Sequence, residues 1–276
     1  MTTTPPAGAD RDGGAVRLRI DLAYDGSRFR GFAAQPGQRT VEGVLSEAVG
    51  TLAGTPVDLT VAGRTDKGVH AAAQTVHVDV PADSRLGRAP DRMRSALDGM
   101  CGPEIAIWRV RRVPSTFDAR FSATQRRYRY HLCDAEAMDP RWRHDTWHVG
   151  PPRLDAEAMD DAGAELLGEH DFSSFCRQPT PSDPRHLVRR VDRLAVRRGV
   201  RGHVAVAVDG PAFCHQMVRS IVGCLLRVGR GQRDRAWVAG VVAARDRQAI
   251  GQVAPPRGLV LVGVSYGGER PVGGRS

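Results

Sequence analysis

The run from Ala62 to Ala71 sets Arg64, Thr65, Asp66 and Lys67 between Gly63 and Gly68, and His70 follows two residues later. A glycine on each side of the cluster supplies a tight turn that a side chain would obstruct. The apolar, β-branched run Pro56 to Val61 precedes it and the alternating segment Ala73 to Val80 follows, so the polar cluster joins two predicted strands. Asp66 stands between two cations whose charge favours its ionised form. A held carboxylate at a strand end is a candidate nucleophile, base or ligand-orienting group. A charged hairpin or crossover loop on the surface would use the same residue types, and from the types alone both readings stay open.

The elements around this loop follow from periodicity. Val16 to Ala23 alternates as a strand, and Tyr24 to Ser27 has turn chemistry. Thr40 is a predicted helix cap; Val41, Val44, Leu45, Ala48 and Leu52 form the helical stripe and Gly54 ends it. Val57 to Val61 leads into the charged cluster, and Val76, Val78 and Val80 mark one face of the next strand. A comparable succession follows: a strand over Arg127–Cys133, a helix over Leu154–Leu167, and antiparallel strands Val188–Val196 and His203–Val208 around Arg198 to Gly202. A helix is predicted over Phe213–Val228 and a last strand over Leu259–Val264. The pattern predicts an α+β protein of two related α/β halves with mainly antiparallel sheets. Residues 16–112 make the half carrying the Asp66 loop, 113–266 the second half, and 1–15 and 267–276 flexible tails.

Composition narrows the partners. The 276 residues are 41% hydrophobic and carry a formal net charge of +9. No apolar run approaches membrane-spanning length, so no membrane partner is expected. The net charge favours a polyanionic partner, because binding to phosphates uses positive side chains and releases counterions. Lys67 is the only lysine, so the cationic side chains are otherwise arginine, whose planar fork suits phosphate and base edges. Cys101, Cys133, Cys176, Cys214 and Cys224 are odd in number and widely spaced, which suggests neither a disulfide framework nor a zinc knuckle. The histidines show no HExxH spacing. No metal is expected, and a reducing, cytoplasmic compartment fits the cysteine usage.

Four passages together carry a resemblance. Gly63 to Ala71 (GRTDKGVHA) resembles the signature of the tRNA pseudouridine synthase A family. Tyr24-Asp25-Gly26, Ala119 to Tyr130 and Phe213 to Gly223 resemble further passages of that family in the same order. The likeness runs from about Val16 to Tyr266. It implies an isomerase that converts uridine to pseudouridine in the anticodon arm of transfer RNA, at positions 38–40, without a cofactor. It also implies two similar halves around a basic catalytic cleft, and a homodimer in which one transfer RNA touches both subunits.

The resemblance assigns roles residue by residue. Asp66 matches the essential catalytic aspartate, and a covalent sugar intermediate, a glycal route and addition to C6 all remain open. Arg64 matches the arginine that holds the flipped nucleotide conformation, and an ion pair with Asp66 is its other reading. Lys67 is a candidate phosphate contact from the same loop or a solvated lysine. Tyr128 matches the active-site aromatic, able to stack on uracil and relay the C5 proton. Alternation puts Tyr128 and Tyr130 on one strand face with Arg127 and Arg129 opposite. Arg219 matches the basic partner of the catalytic acid. Leu259, Val260 and Leu261 supply the apolar wall facing Tyr128, with Leu261 favoured, while His215 and Gln216 are pocket candidates. His70 reads chiefly as a structural hydrogen-bonding group. Two departures stand out: Phe32 where the family often has tryptophan, and Asp98 where it usually has asparagine. The second is expected to bear on RNA positioning. A pseudouridine synthase for another RNA would apply the same Asp66 chemistry to a different stem-loop, whereas a non-catalytic RNA-binding or chaperone protein would use the same basic cleft without needing Asp66.

Overall fold

Thr40 ends an extended segment and accepts a hydrogen bond from Gly43 N at 3.2 Å, and Gly54 closes the same helix in the left-handed conformation at φ +73°. Both ends of α1 (Val41–Ala53) thus lie where the sequence predicts them. The computed structural model describes residues 14–177 and 187–267. The predicted tails lie outside the described residues except at positions 14, 15 and 267.

The first part of the chain contains β1 (Ala15–Tyr24), β2 (Thr60–Val61), β3 (His70–Pro81) and β4 (Ile105–Arg112), with α2 (Arg85–Arg88) and α3 (Pro90–Cys101) before β4. The second contains β5 (Gln125–Cys133), β6 (Trp147–His148), α4 (Ala156–Gly163), β7 (Gly168–Asp171), β8 (Val188–Val191), β9 (Arg193–Arg198) and β10 (His203–Gly210). It ends with α5 (Met217–Gly229), α6 (Arg235–Ala244) and β11 (Leu259–Ser265). The main path of the sheet is β4-β1-β3-β11-β5-β10-β9, with β2 on β3 and β6 on β5, and β7 and β8 form a separate pair. Most pairings are antiparallel, but β11 runs parallel to β3, opposing Val260 to His70 and Leu261 to Ala71. The architecture is α+β with a mixed sheet, and the last strand is inserted at its middle.

Several elements differ from expectation. The Val57–Val61 strand shrinks to the two residues of β2, and the Leu154–Leu167 helix begins only at Ala156, where Asp155 accepts from Ala158 N. The Phe213–Val228 helix begins at Met217, because Gln216 at φ +66° turns the chain before it. The predicted strand over Val188–Val196 breaks at Asp192 into β8 and β9. Elements α3, β4 and α6 have no counterpart in the sequence pattern. Only Pro90, Leu97 and Cys101 of α3 are buried, too sparse a stripe to announce a helix.

One face of the sheet carries Leu18, Ile20, Leu22, Val76 and Val78, then Tyr130, Leu132, Val204 and Val206, and these form one core with the apolar residues of α1, α4 and α5. Helix α5 is buried on nearly all sides. Its Gly223 is packed so closely that a Cβ would overlap the carbonyl oxygen of Gln252. We expect Gly223→Ala to lower stability by about 1–3 kcal/mol through overpacking. Gly240 of α6 is exposed with nothing near its missing Cβ. Gly240→Ala is expected to add about 0.5–1 kcal/mol. Urea unfolding of the two variants checks both signs.

Candidate active site

The Asp66 loop is held from three sides. Ala62 N donates to Thr75 O at 2.9 Å, and the Gln74 amide donates to Gly63 O at 2.8 Å and to the Tyr24 hydroxyl at 3.2 Å. That hydroxyl lies 2.8 Å from Thr65 Oγ1, and Phe32 N donates to Thr65 O at 3.0 Å. Gly31, at φ +112°, lets its segment approach so closely that a Cβ would stand 3.1 Å from the same Thr65 oxygen. The turn closes on itself through Val69 N to Asp66 O at 3.1 Å. Phe32, the departure from tryptophan, is fully buried against Tyr24, and it is its backbone that grips the loop. His70 Nδ1 accepts from Gly26 N at 3.2 Å, the structural role expected for it.

Across the cleft, the first turn of α5 presents Arg219. Its Nη1 donates to Asp66 Oδ2 at 3.0 Å, and its Nε donates to Ala254 O at 2.7 Å. Ala254 N returns a bond to Arg219 O at 3.1 Å, so the guanidinium is fixed by the chain segment that covers α5. His215 Nε2 lies 3.3 Å from the other oxygen, Asp66 Oδ1. The Asp66 side chain keeps 25% of its surface exposed against 13% for Arg219, so the carboxylate remains reachable while its partner is enclosed.

Tyr128 lines the same cleft and meets the Phe213 ring edge-on at 5.3 Å between centroids. It is only 7% exposed. Burial pushes its phenol pKa well up, the nearby Tyr24 and Asp66 push the same way, and Arg126 opposes them. The phenol therefore holds its proton and can donate a hydrogen bond or relay a proton. It is not a standing base.

Asp66, Tyr128, Arg219 and Gln216 all line this cleft. Gln216 has its Oε1 engaged by Arg247 Nη2 at 2.5 Å. Arg64 and Lys67 are exposed on the same loop, and neither pairs with a carboxylate among the described residues. Arg64 is thus not the ion partner of Asp66; Arg219 is. The apolar wall is Leu259, whereas the favoured Leu261 is fully buried beside Tyr128 in the β11–β5 ladder. Tyr130 is fully buried, with its hydroxyl on Pro255 O at 2.7 Å. Asp98 is away from this cleft: its Oδ1 accepts from Ile107 N at 2.8 Å and joins α3 to β4. An asparagine oxygen would make the same bond, so this contact does not depend on the departure.

The sequence reading did not single out Phe213 or the approach of His215 to Asp66; both depend on the turn that Gln216 makes. Nor did it expect the disulfide between Cys176 and Cys214, whose Cα atoms are 5.6 Å apart and which joins residues 38 positions apart. No CxxC spacing announces such a pair. Cys101, Cys133 and Cys224 are buried and free.

A reachable carboxylate fixed by a half-buried arginine, beside a protonated phenol and on a loop with two cations that pair with no carboxylate among the described residues, is the equipment of an acid–base or nucleophilic enzyme with a polyanionic substrate. Comparison with known proteins narrows the class. Residues 22–122 and 162–267 match the family model described as tRNA pseudouridine synthase. The chain is 46% identical over 255 residues to the tRNA pseudouridine synthase A of Frankia casuarinae, covering 92% of this chain and 90% of the relative. It is 42% identical over 258 residues to the Streptomyces griseus protein of that name, covering 92% and 89%. The Mesorhizobium japonicum protein is 42% identical over 250 residues, covering 91% and 99%. The chain belongs to the tRNA pseudouridine synthase family.

The site environment makes a titration prediction. Tyr24, Tyr128, Tyr130 and Tyr266 are all four tyrosines of the chain, and burial raises every one, Tyr24 to about 12. Folding therefore tightens their hold on protons. That contribution is fully present below the unfolded value near 10 and is lost as pH rises toward the folded values. Phenolate absorbance should stay flat in the folded protein from pH 8 to 11, while all four rings titrate near pH 10 in urea. A ring titrating near pH 10 in the folded protein would contradict the burial.

Proposed function

We propose that this protein is the isomerase its family describes, converting uridine to pseudouridine in transfer RNA, and that its targets are nucleotides 38–40 of the anticodon arm. The observation that carries the reading is the convergence of Asp66, Arg219 and Tyr128 in one cleft, with the two members of the ion pair 153 positions apart in the sequence. In the reaction the N1–C1′ bond of uridine breaks, the detached base turns, C5 bonds to C1′, N1 gains a proton and C5 loses one. Asp66 acts at the ribose, where an oxygen nucleophile or base meets an electron-poor carbon. Arg219 holds that carboxylate in position without giving up a proton.

 Tyr128 stacks on one face of the uracil and Leu259 closes the other side of the pocket. Arg64 and Lys67 contact the backbone or the site the base has left.

Two coarser features belong to the same reading. The two parts of the sheet, joined where β11 meets β3, are related α/β halves whose junction forms the basic cleft. The protein works in the cytoplasm as a homodimer, one subunit steadying the body of the transfer RNA while the other does the chemistry. The anticodon arm suits this site because its uridines unstack at modest cost while cationic surfaces hold the flanking phosphates.

Pseudouridine mapping of transfer RNA and the transcriptome in a deletion strain tests the proposal. We expect modification at 38–40 to disappear and to return when wild-type protein is supplied. Intact anticodon-arm modification with losses elsewhere would keep the enzyme class and reject this substrate. No change anywhere, with purified protein inactive on matched RNA, would reject the activity.

A further inference from the structure

Phe121 is 80% exposed, the highest exposure of any large apolar side chain among the described residues. A single exposed apolar residue needs no explanation in itself. This one is unusual in how firmly its backbone is held. Asp118 Oδ1 accepts from both Arg120 N at 2.7 Å and Phe121 N at 2.8 Å. Ser122 N donates to Asp118 O at 2.9 Å, and Asp118 N donates to Ser122 Oγ at 3.0 Å. The tip is therefore fixed by its own hydrogen bonds, yet they leave the ring in solvent. The Arg120 guanidinium lies 5.2 Å from the ring centroid and pairs with no carboxylate among the described residues.

Arg126 ties this tip to the catalytic cleft. Its buried guanidinium donates to Arg120 O and Ala62 O, both at 2.6 Å, to Pro211 O at 2.6 Å and to Ala123 O at 3.0 Å. Ala62 begins the loop that carries Asp66, and Pro211 begins the segment that carries Phe213 and His215. Arg126 is also two residues before Tyr128 on β5, on the same strand face and about 7 Å away along the strand. One side chain thus sets the Phe121 tip against both walls of the site.

We infer that Phe121, backed by Arg120, is a stacking platform for a nucleobase of the bound RNA that neighbours the target uridine. The inference rests on the reading of the cleft as a uridine site. Turning a uridine into the cleft strips its neighbour of a stacking partner, and an aromatic ring fixed beforehand replaces that contact without an ordering cost. A ring accepts any base, whereas the cation behind it strengthens stacking and reaches phosphate. The RNA it fits is a loop or stem end with a base free to unstack. Phe121 is thus a positioning residue, not a catalytic one.

The test uses the purified full-length protein and an anticodon stem-loop RNA with 2-aminopurine beside the target uridine, 5′ in one RNA and 3′ in another. Wild type, F121W, F121L and F121A are compared for binding, fluorescence quenching and pseudouridine formation. Wild type and F121W should quench the probe at one of the two positions, and F121L and F121A should not. F121A should lose roughly 5- to 150-fold in RNA affinity, the range expected for one base–aromatic stack. Wild-type quenching and affinity in F121A, or F121L matching F121W, would overturn the inference. So would a change in oligomeric state in F121A with RNA binding unaltered, which would assign the ring to a contact between copies. Absence of product from wild type would reject the uridine-site reading, while quenching would still decide whether Phe121 stacks a base.

Discussion

The ion pair between Arg219 and Asp66 is the contact on which the site depends. Asp66 comes from the loop between β2 and β3, and Arg219 from α5, the helix that follows β10. They meet because β11, the last strand, lies between β3 and β5 and closes the sheet at its centre. The segment before β11 supplies Ala254 O, which holds the far side of the Arg219 guanidinium. The carboxylate is therefore not oriented until nearly the whole chain has folded. Gly223 permits this arrangement by letting the 252–254 segment lie directly on α5.

A second guanidinium organises the other end of the cleft. Arg126 is buried and bonds four backbone carbonyls from three separate stretches of chain. Carbonyls gathered this way need a fixed, planar array of donors, which arginine provides and lysine does not. Other arginines are equally internal in their work: Arg19 is buried against Asp21, and Arg198 bonds both Asp134 and Leu154 O. The net charge of +9 thus overstates the cations that face a substrate. Arg64, Lys67 and Arg120 are among those that pair with no carboxylate among the described residues.

Much of the frame was legible because its signals are local. The Thr40 cap, the Gly54 stop and the alternation of β1 and β5 each need only a few neighbouring residues. The polar cluster at Asp66 was legible for the same reason. What the sequence hid depends on register or on distant contacts. Leu259 and Leu261 point to the same side of β11, and only the alignment of that strand with β5 decides which of them reaches the cavity. Phe213 and His215 enter the site through a turn at Gln216, a residue whose type does not announce a positive φ. The Cys176–Cys214 link and the Asp98 bond to Ile107 N likewise join segments that no spacing rule connects.

The central claim is that the Asp66 carboxylate performs the chemistry while the cleft around it binds RNA. Tritium release from transfer RNA labelled at uridine C5 reads this most directly, since the C5 proton is lost to solvent only when the base is rejoined through that carbon. Wild-type protein should release tritium, and D66N should bind the same RNA with little loss of affinity and release none. Release by folded D66N at the wild-type rate would contradict the account.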